Sequence, residues 1–362
     1  MKSIIPLLIA FSLLLIPSQA FAKTTDPRPI AIQGAMPEEV QYFLEVMNEY
    51  DTETFDSYTY YIGKIDSIPV VVSRTEVGMV NAAASTTLLI EKYNPRAIIN
   101  QGTSGGHDPD LHRYDIVVGE KAINFGKILT NHKDEGTGMS PDSWKIWSTT
   151  IRVDGEKVSF PYFEPDPTLY KAAMGVAEKY THGKVVSGVI GSADEWNREL
   201  DRIKWIHENA GTSVEEMETA AAAQTAKVLQ VPFLGIRILS NSEWYPDEVY
   251  EPETSGKYCA EFVIEVLKAT SQADFSYKPE IVVPENQVKI NNGKRMVPLR
   301  SIMIKLGADV KWDPALGKVI VNHDGYVVEF KSGENEYSTL ENGITWVELE
   351  WLQERFDFEV SY

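Results

Sequence analysis

The chain has 362 residues, of which 43% are hydrophobic and 24% are charged, so it is long enough for two domains of an ordinary soluble globular protein. Its 34 basic and 53 acidic residues give a formal net charge of −19, which argues against nucleic acid or an anionic membrane as a partner. The single cysteine, Cys259, excludes an internal disulfide, and we expect it in the core of a helix.

The amino terminus has the pattern of a secretory signal peptide over residues 1–22. Lys2 precedes an apolar run over residues 4–16, and Ala20-Phe21-Ala22 is a small-x-small cleavage pattern. The run is shorter than the roughly 18 to 20 residues that span a bilayer, which makes a membrane anchor the weaker interpretation. We therefore expect a secreted or cell-surface protein with no membrane span after cleavage.

The predicted mature chain opens with a strand, a glycine turn and a helix over residues 30–40. Pro37 stands in the first helical turn, where its missing N–H removes no hydrogen bond. Glu39 follows in the same turn, where the helix dipole favours an ionised carboxylate. Taken alone, this position fits a solvated first-turn glutamate as well as a functional carboxylate.

A glycine-rich segment, Gln-Gly-Thr-Ser-Gly-Gly over residues 101–106, follows a predicted buried strand over residues 95–100. Glycines let the backbone approach a ligand closely. Their spacing does not fit the G-x-G-x-x-G dinucleotide pattern, so we reject a Rossmann cofactor site and expect no cofactor. The other elements predicted up to residue 190 are a hairpin over 60–73 around Asp66-Ser67, a helix over 82–93, a strand over 114–119, a helix over 169–180 and a strand over 184–190.

Two aromatic features lie in this middle part of the chain. Residues 122–167 are rich in Trp, Tyr and Phe, which fits a lid, a subunit contact or a packed excursion without a chemical role. Trp196 follows the predicted strand over 184–190, and its indole is a large flat apolar surface.

The motif around which the chain is organised is residues 214–223, Val-Glu-Glu-Met-Glu-Thr-Ala-Ala-Ala-Ala. It places acids and a thioether before a predicted alanine-rich helix over residues 219–228, and taken alone it also fits acids that cap a buried helix. A predicted strand over residues 231–239 then ends in Ser240-Asn241. Because small molecules bind at the carboxyl ends of strands in open α/β sheets, these polar residues indicate a ligand site.

Glu-Met-Glu before a small-residue helix, followed by a strand that ends in Ser-Asn, resembles the nucleoside phosphorylase and nucleosidase superfamily. Within it, residues 30–269 are most similar to the methylthioadenosine/S-adenosylhomocysteine nucleosidases. The resemblance implies a three-layer α/β/α domain with a central mixed sheet. It also implies a homodimeric N-glycosyl hydrolase that cleaves a purine nucleoside into free base and ribose moiety without a metal.

The resemblance also implies roles for individual residues. Glu39 would activate water, Glu218 would hold the ribose 2′ hydroxyl, and Asn241 would meet the base at N7. The residues expected to bind substrate around them are Met36, Thr103, Gly105, Trp196, Glu216, Met217 and Ser240.

Two departures from the family pattern bear on the reaction. Gln101 stands where phosphorylases usually carry an arginine for phosphate, so water is the expected nucleophile. Asn241 replaces the aspartate of methylthioadenosine nucleosidases, and its amide suits a base that accepts at O6. We therefore predict a 6-oxopurine preference of about ten- to hundredfold over adenine. The alternative is that Ser242, Glu243 or a water supplies the hydrogen-bond acceptor that the 6-amino group of adenine would otherwise lack. The substrate class is thus a methylthioadenosine/S-adenosylhomocysteine-type or a 6-oxopurine nucleoside.

Two other functions fit the pattern less well. A nucleoside-binding surface protein without turnover would keep the pocket, but it has no need for both Glu39 and Glu218. A purine nucleoside phosphorylase would lack its usual phosphate partner at Gln101.

The carboxyl-terminal part of the chain is a separate unit. A predicted amphipathic helix over residues 257–268 closes the catalytic domain, which we place at residues 23–270, and a linker follows over 271–280. Residues 281–362 contain the run Met-Val-Pro-Leu-Arg-Ser-Ile at 296–302. By this run they resemble the small α+β stalk module named after the N-terminal domain of copper amine oxidases. Residues 344–362 look like a weaker second copy of the Val-Pro-Leu-Arg helix unit of this module. The only histidine of the module is His323, so we predict no copper site. We interpret the module as an appendage that binds a cell-surface partner.

Overall fold

The computed structural model describes residues 28–153, 156–273, 275, 280–306, 308–314, 317–323, 326–331, 337–356 and 358–361. The predicted signal peptide, residues 1–22, lies outside these residues. Within the described ranges, no helix combines the length and the hydrophobicity needed to cross a bilayer.

The amino-terminal part of the described chain alternates strands and helices. Its helices are α1 (Pro37–Met47), α2 (Met79–Tyr93), α3 (Pro167–Gly175), α4 (Leu200–Ala210), α5 (Thr219–Val228) and α6 (Pro252–Thr270). Its strands are β1 (Ile30–Gly34), β2 (Tyr50–Phe55), β3 (Tyr58–Ile65), β4 (Ile68–Arg74), β5 (Ala97–Gly106), β6 (Ile116–Asn124), β7 (Ile128–Leu129), β8 (Lys145–Ile146), β9 (Thr149–Val153), β10 (Glu156–Phe160), β11 (Val185–Ser192), β12 (Thr212–Glu216) and β13 (Phe233–Asn241).

Among the described strands, nine form one sheet in the order β12-β11-β6-β13-β5-β1-β4-β3-β2. Its centre is parallel, because β1 pairs in parallel with β4 and β5, and β13 pairs in parallel with β5. The β2–β3–β4 edge and the β13–β6 pair are antiparallel. The central mixed sheet predicted from the sequence is therefore confirmed.

Helices cover both faces of the sheet. Helices α1, α3 and α6 contribute to one core, and α2 and α5 contribute to the other. Along β1, Ile30 and Ile32 belong to the first core and Ala31 to the second, because successive side chains of a strand point to opposite faces. Cys259 of α6 is fully buried in the first core, as predicted. The arrangement is the three-layer α/β/α fold.

The sheet curls so that its β12 edge also meets the end of β5. This extra pairing is antiparallel and aligns Val214 with Gly106 and Glu215 with Gly105. On the other side of β5, a register shift in β13 aligns Asn241 with the same Gly105. These two pairings bring the ends of β5, β12 and β13 together, and the candidate site lies there.

Several predicted elements differ from the structure in extent. The strand predicted over residues 95–100 extends further, because β5 continues through the glycine-rich segment to Gly106. The aromatic-rich insertion after β6 folds into two short hairpins, β7–β8 and β9–β10. The edge strand β2 and helix α4 were not predicted from the sequence. The hairpin around Asp66-Ser67 is confirmed, with positive φ angles of 47° and 70° at the two turn residues.

The carboxyl-terminal module has its own core and contains an internal repeat. Its elements are β14 (Glu280–Val282), β15 (Lys289–Asn291), β16 (Lys294–Pro298), α7 (Leu299–Lys305), β17 (Asp309–Asp313), β18 (Lys318–His323), β19 (Tyr326–Lys331), β20 (Ser338–Glu341), β21 (Ile344–Glu348), α8 (Leu349–Phe356) and β22 (Glu359–Ser361). The hairpin–helix–strand unit β15–β16–α7–β17 recurs as β20–β21–α8–β22. The central strands pair antiparallel with Val297 opposite Val347, so an approximate two-fold axis relates the copies. The predicted second copy thus begins before residue 344, at β20.

Candidate active site

One pocket at the gathered strand ends contains every residue predicted to act on a substrate. Its lining includes Glu39, Glu218 and Asn241 together with all seven predicted substrate-binding residues. Six further lining residues were not predicted, namely Ala35, Val77, Ser104, Glu195, Glu215 and Tyr250. The fold therefore brings together residues from β5, β12, β13 and the start of α1.

Glu39 is held rigidly at the floor of this pocket. Its side chain is 3% exposed, and one carboxylate oxygen accepts hydrogen bonds from the Ala35 and Met36 N–H groups at 2.7 and 3.1 Å. The other oxygen accepts from the N–H and hydroxyl of Thr103 at 2.7 and 2.9 Å. The start of α1 and the end of β5 thus fix the orientation of the carboxylate predicted to activate water.

Gly102 leaves the space that the Glu39 carboxylate occupies. A Cβ at position 102 would lie 2.6 Å from Glu39 Oε1 and 2.8 Å from its Cδ. We expect Gly102→Ala to displace the carboxylate and to lower kcat by about 10- to 100-fold, since small misplacements of a reacting group have effects of this size.

The matched control is Gly175→Ala in α3, where an added Cβ would meet no atom within 4 Å. Steady-state rates of base release for the two variants make the comparison. A normal kcat for Gly102→Ala would contradict the assigned position of Glu39.

A buried ion pair lies beneath the Glu-Met-Glu motif. Arg237 and Glu216 are 1% and 8% exposed, and Arg237 Nε lies 3.1 Å from Glu216 Oε2. The same oxygen accepts from the N–H groups of Glu218 and Thr219 at 3.0 and 2.9 Å, and Ser192 donates its hydroxyl to Oε1. Although burial opposes it, the charge of Arg237 and these hydrogen bonds hold the pKa of Glu216 below its usual value.

The role predicted for Glu216, substrate binding, stays a prediction. Glu216 lines the pocket, but its carboxylate is also engaged by the arginine and by the backbone at the start of α5. These contacts position the motif, because the N–H groups that Glu216 accepts at the helix start would otherwise lack partners.

Glu218 is the carboxylate of the motif that remains available. It is buried directly before α5, and its Oε1 accepts the Gly78 N–H at 2.9 Å. Burial and the neighbouring Glu216 carboxylate raise the pKa of Glu218 to about 8, against the opposing charge of Arg237 at 3.9 Å. A bound hydroxyl group would give this carboxylate the hydrogen bond that water supplies elsewhere.

The raised pKa of Glu218 makes the stability of the protein depend on pH. The native state holds a proton on Glu218 up to about pH 8, while the unfolded chain releases it near the ordinary value of 4.5. The native state therefore binds more protons between these values, and its stability falls as the pH rises through this window. Between pH 5 and pH 8 the loss is on the order of 3 kcal/mol.

Glu218→Gln removes this titration. We expect the variant to gain stability relative to the unsubstituted protein as the pH rises from 5 to 8, because a neutral amide has no proton to lose. Urea unfolding of both proteins at several pH values measures the difference. A difference that does not change with pH would contradict the raised pKa.

Another part of the pocket lining consists of Ser240, Asn241, Met217 and Trp196. Ser240 Oγ lies 3.0 Å from Asn241 Oδ1, which orients the amide, and the half-buried Met217 lines the wall. Trp196 is 64% exposed, so its ring stands at the rim. The arrangement suits a flat base at the Asn241 end and a sugar between Glu39 and Glu218.

Gln101 does not contribute to the pocket lining. It is 1% exposed, and its side-chain amide donates to the Glu39 carbonyl at 2.9 Å. No lysine or arginine is found among the described residues that line the pocket. A phosphate dianion would find no cationic side chain there.

Three contributors to the site were not predicted from the sequence. Arg237 interrupts an apolar strand, and a lone arginine in such a strand is itself a signal for a buried ion pair. The N–H of Gly78, a residue without a predicted role, donates to Glu218. Glu215 was given no role because the Glu-Met-Glu pattern begins at the next residue. Within the described ranges, no three His, Cys, Asp or Glu residues form a group that would hold a metal ion.

Comparison with protein-family models gives two matches. Residues 29–271 match the model described as the phosphorylase superfamily, which is more than half of the chain. Residues 278–362 match the model described as the copper amine oxidase N-terminal domain.

Individual relatives agree with the first match. A 5′-methylthioadenosine/S-adenosylhomocysteine nucleosidase from Shewanella pealeana is 34% identical over 59% of this chain and 86% of its own, and one from Psychromonas ingrahamii is 31% identical over 59% and 85%. The solved nucleosidase from Colwellia psychrerythraea, in complex with adenine, is 26% identical with a TM-score of 0.56, covering 68% of this chain and 96% of that one. The fold is also shared with the futalosine hydrolase of Helicobacter pylori, at 21% identity, a TM-score of 0.54, and coverage of 67% and 97%.

Proposed function

Since the chain belongs to the phosphorylase superfamily, we propose that it is a purine nucleosidase, an N-glycosyl hydrolase that releases the free base from a purine nucleoside. The relatives named above are nucleosidases, and the chain covers more than four-fifths of their length. The single observation that carries the proposal is one pocket that holds both Glu39 and Glu218 and has no cationic side chain among its described lining residues.

The proposed reaction uses one water molecule. Glu39 accepts a proton from this water as its oxygen bonds to C1′ of the sugar, while the electrons of the C1′–N9 bond pass to the base. The departing base takes a proton at N7 from solvent water while Glu39 returns its proton to solvent, and the oxygen of the Asn241 amide accepts the resulting N7–H. The 2′ hydroxyl donates to Glu218, and hydrogen bonds that strengthen as charge develops lower the barrier most.

Water is favoured over phosphate as the nucleophile by the contacts of Gln101. Its amide is buried and donates to the Glu39 backbone, and the buried Arg237 is already paired with Glu216. A phosphorylase needs a cation or several donors directed at the phosphate oxygens. The substrate is therefore proposed as a methylthioadenosine/S-adenosylhomocysteine-type nucleoside or a 6-oxopurine nucleoside, cleaved by water.

We also propose that the enzyme is exported and dimeric. Export is supported by the signal-peptide pattern over residues 1–22. A homodimer is supported by the resemblance to the nucleosidases. The carboxyl-terminal module is proposed to bind a cell-surface partner.

The test measures free base released by the purified mature protein from methylthioadenosine, S-adenosylhomocysteine, adenosine, inosine and guanosine, with and without phosphate. Turnover that does not depend on phosphate supports the hydrolase. Turnover only with phosphate would make the protein a phosphorylase. Tight nucleoside binding with no release of base would favour a binding protein and overturn the proposal.

A further inference from the structure

Glu215 and Asn241 lie on opposite sides of the same glycine. Gly105 of β5 pairs with Glu215 of β12 across one edge and with Asn241 of β13 across the other. Residues aligned across neighbouring strands place their side chains on the same face of the sheet. Because Gly105 has no side chain, a flat slot remains between the carboxylate and the amide.

The two side chains converge over this slot. A Cβ on Gly105 would lie 3.7 Å from Glu215 Oε1 and 3.6 Å from Asn241 Nδ2. The acceptor and the donor are therefore no more than about 7 Å apart, and both line the pocket. One small planar ring can contact both atoms.

Glu215 keeps acceptor capacity on the atom that faces the slot. Its Oε2 accepts from Asn197 Nδ2 at 2.6 Å and lies 3.0 Å from His107 Nε2. Its Oε1 accepts only the Asn197 N–H, at 3.0 Å, among the described residues. A carboxylate oxygen has room for a second hydrogen bond, and Glu215 is only 7% exposed, so water competes poorly for it.

An acceptor beside a donor is complementary to one class of purine. A 6-oxopurine carries an N1–H donor next to its O6 acceptor, whereas adenine carries an N1 acceptor next to its 6-amino donor. Glu215 Oε1 would accept from N1–H, and Asn241 Nδ2 would donate to O6. With adenine, both contacts would place like groups opposite each other, and an unpaired buried group is costly.

We propose that Glu215 is a specificity-determining residue that contacts N1–H of the base and, with Asn241, selects 6-oxopurine nucleosides. The proposal rests on the proposed function for the identity of the pocket. It adds a second, independent contact to the one predicted for Asn241, and it places that contact on β12, which the sequence did not assign to the base.

The alternative is that Glu215 only anchors the loop that carries Trp196, through its two hydrogen bonds with Asn197. The two roles predict different results for Glu215→Gln. A glutamine whose oxygen takes the Oε2 position still accepts from Asn197 Nδ2 but loses the Asn197 N–H contact, and its N–H₂ at the Oε1 position presents a donor to the N1 acceptor of adenine. An anchor would affect all nucleosides alike, whereas a base contact changes their ratio.

The experiment measures kcat/KM for inosine and adenosine with the unsubstituted protein, Glu215→Gln and Asn197→Ala. We expect the unsubstituted protein to prefer inosine. In Glu215→Gln the inosine-to-adenosine ratio should fall by about 10- to 100-fold. Asn197→Ala, the control for a lost anchor, should lower both values together. An unchanged ratio in Glu215→Gln, a parallel loss like that of Asn197→Ala, or a preference for adenosine in the unsubstituted protein would overturn the proposal.

A parallel binding measurement separates this proposal from the proposed function. If no nucleoside releases base, the hydrolase proposal fails, and calorimetry with hypoxanthine and adenine still tests Glu215. Tighter binding of hypoxanthine that is lost in Glu215→Gln would support the contact. Equal affinity for the two bases, or binding of neither, would overturn it.

Discussion

Glutamine in place of Glu39 is expected to lower kcat for base release by about 10²- to 10⁴-fold, the range that a positioned general base contributes. The substitution keeps the size of the side chain but removes its capacity to take a proton from water. Each carboxylate oxygen of Glu39 accepts two hydrogen bonds, so the N–H₂ group of a glutamine would face two donors. Single-turnover base release from the best nucleoside measures the effect.

The matched control for Glu39 is its neighbour in the first turn of α1. Glu38→Gln changes the same functional group, but Glu38 does not line the pocket, so kcat should stay within about twofold of the unsubstituted value. Thermal unfolding of both variants separates a lost base from a lost fold. A folded Glu39→Gln protein with ordinary kcat would remove Glu39 from the reaction.

Methionine in place of Arg237 is expected to lower the free energy of unfolding by about 3 to 5 kcal/mol, because it leaves the Glu216 charge buried without its partner. Besides its bonds to Glu216, Arg237 donates to Asn100 Oδ1 at 2.6 Å and to the Ile236 carbonyl at 2.9 Å. These acceptors would also lose a donor. Urea unfolding at pH 7 measures the change.

An exposed ion pair supplies the comparison. Arg198 and Glu243 lie 2.9 Å apart, but the Arg198 side chain is 75% exposed, so Arg198→Met should cost less than about 1 kcal/mol. Adding Glu216→Gln to Arg237→Met should restore part of the loss, since the uncompensated charge is then removed. Equal losses of unfolding free energy in Arg198→Met and Arg237→Met would mean that burial does not strengthen the Arg237–Glu216 pair.

The sequence determined the elements whose signals are local. The alanine-rich helix α5 was predicted with its bounds at Thr219 and Val228, and the hairpin around Asp66-Ser67 was predicted at its turn. Helix propensity and turn chemistry act between residues close in the chain, which is why such elements can be read from the sequence. The family resemblance added the candidate residues, and all ten of them line one pocket.

The tertiary structure alone decided the contacts of each acid. Three glutamates stand close together at residues 215, 216 and 218, and the sequence does not show which groups each of them meets. Arg237 engages Glu216, the Gly78 N–H reaches Glu218, and the antiparallel meeting of β12 with β5 turns Glu215 towards Gly105. Each of these partners is distant in sequence, and the contact exists only because the sheet curls on itself. Long-range pairing and burial set the hydrogen bonds and the charge of a carboxylate, so its role is decided only after the chain has folded.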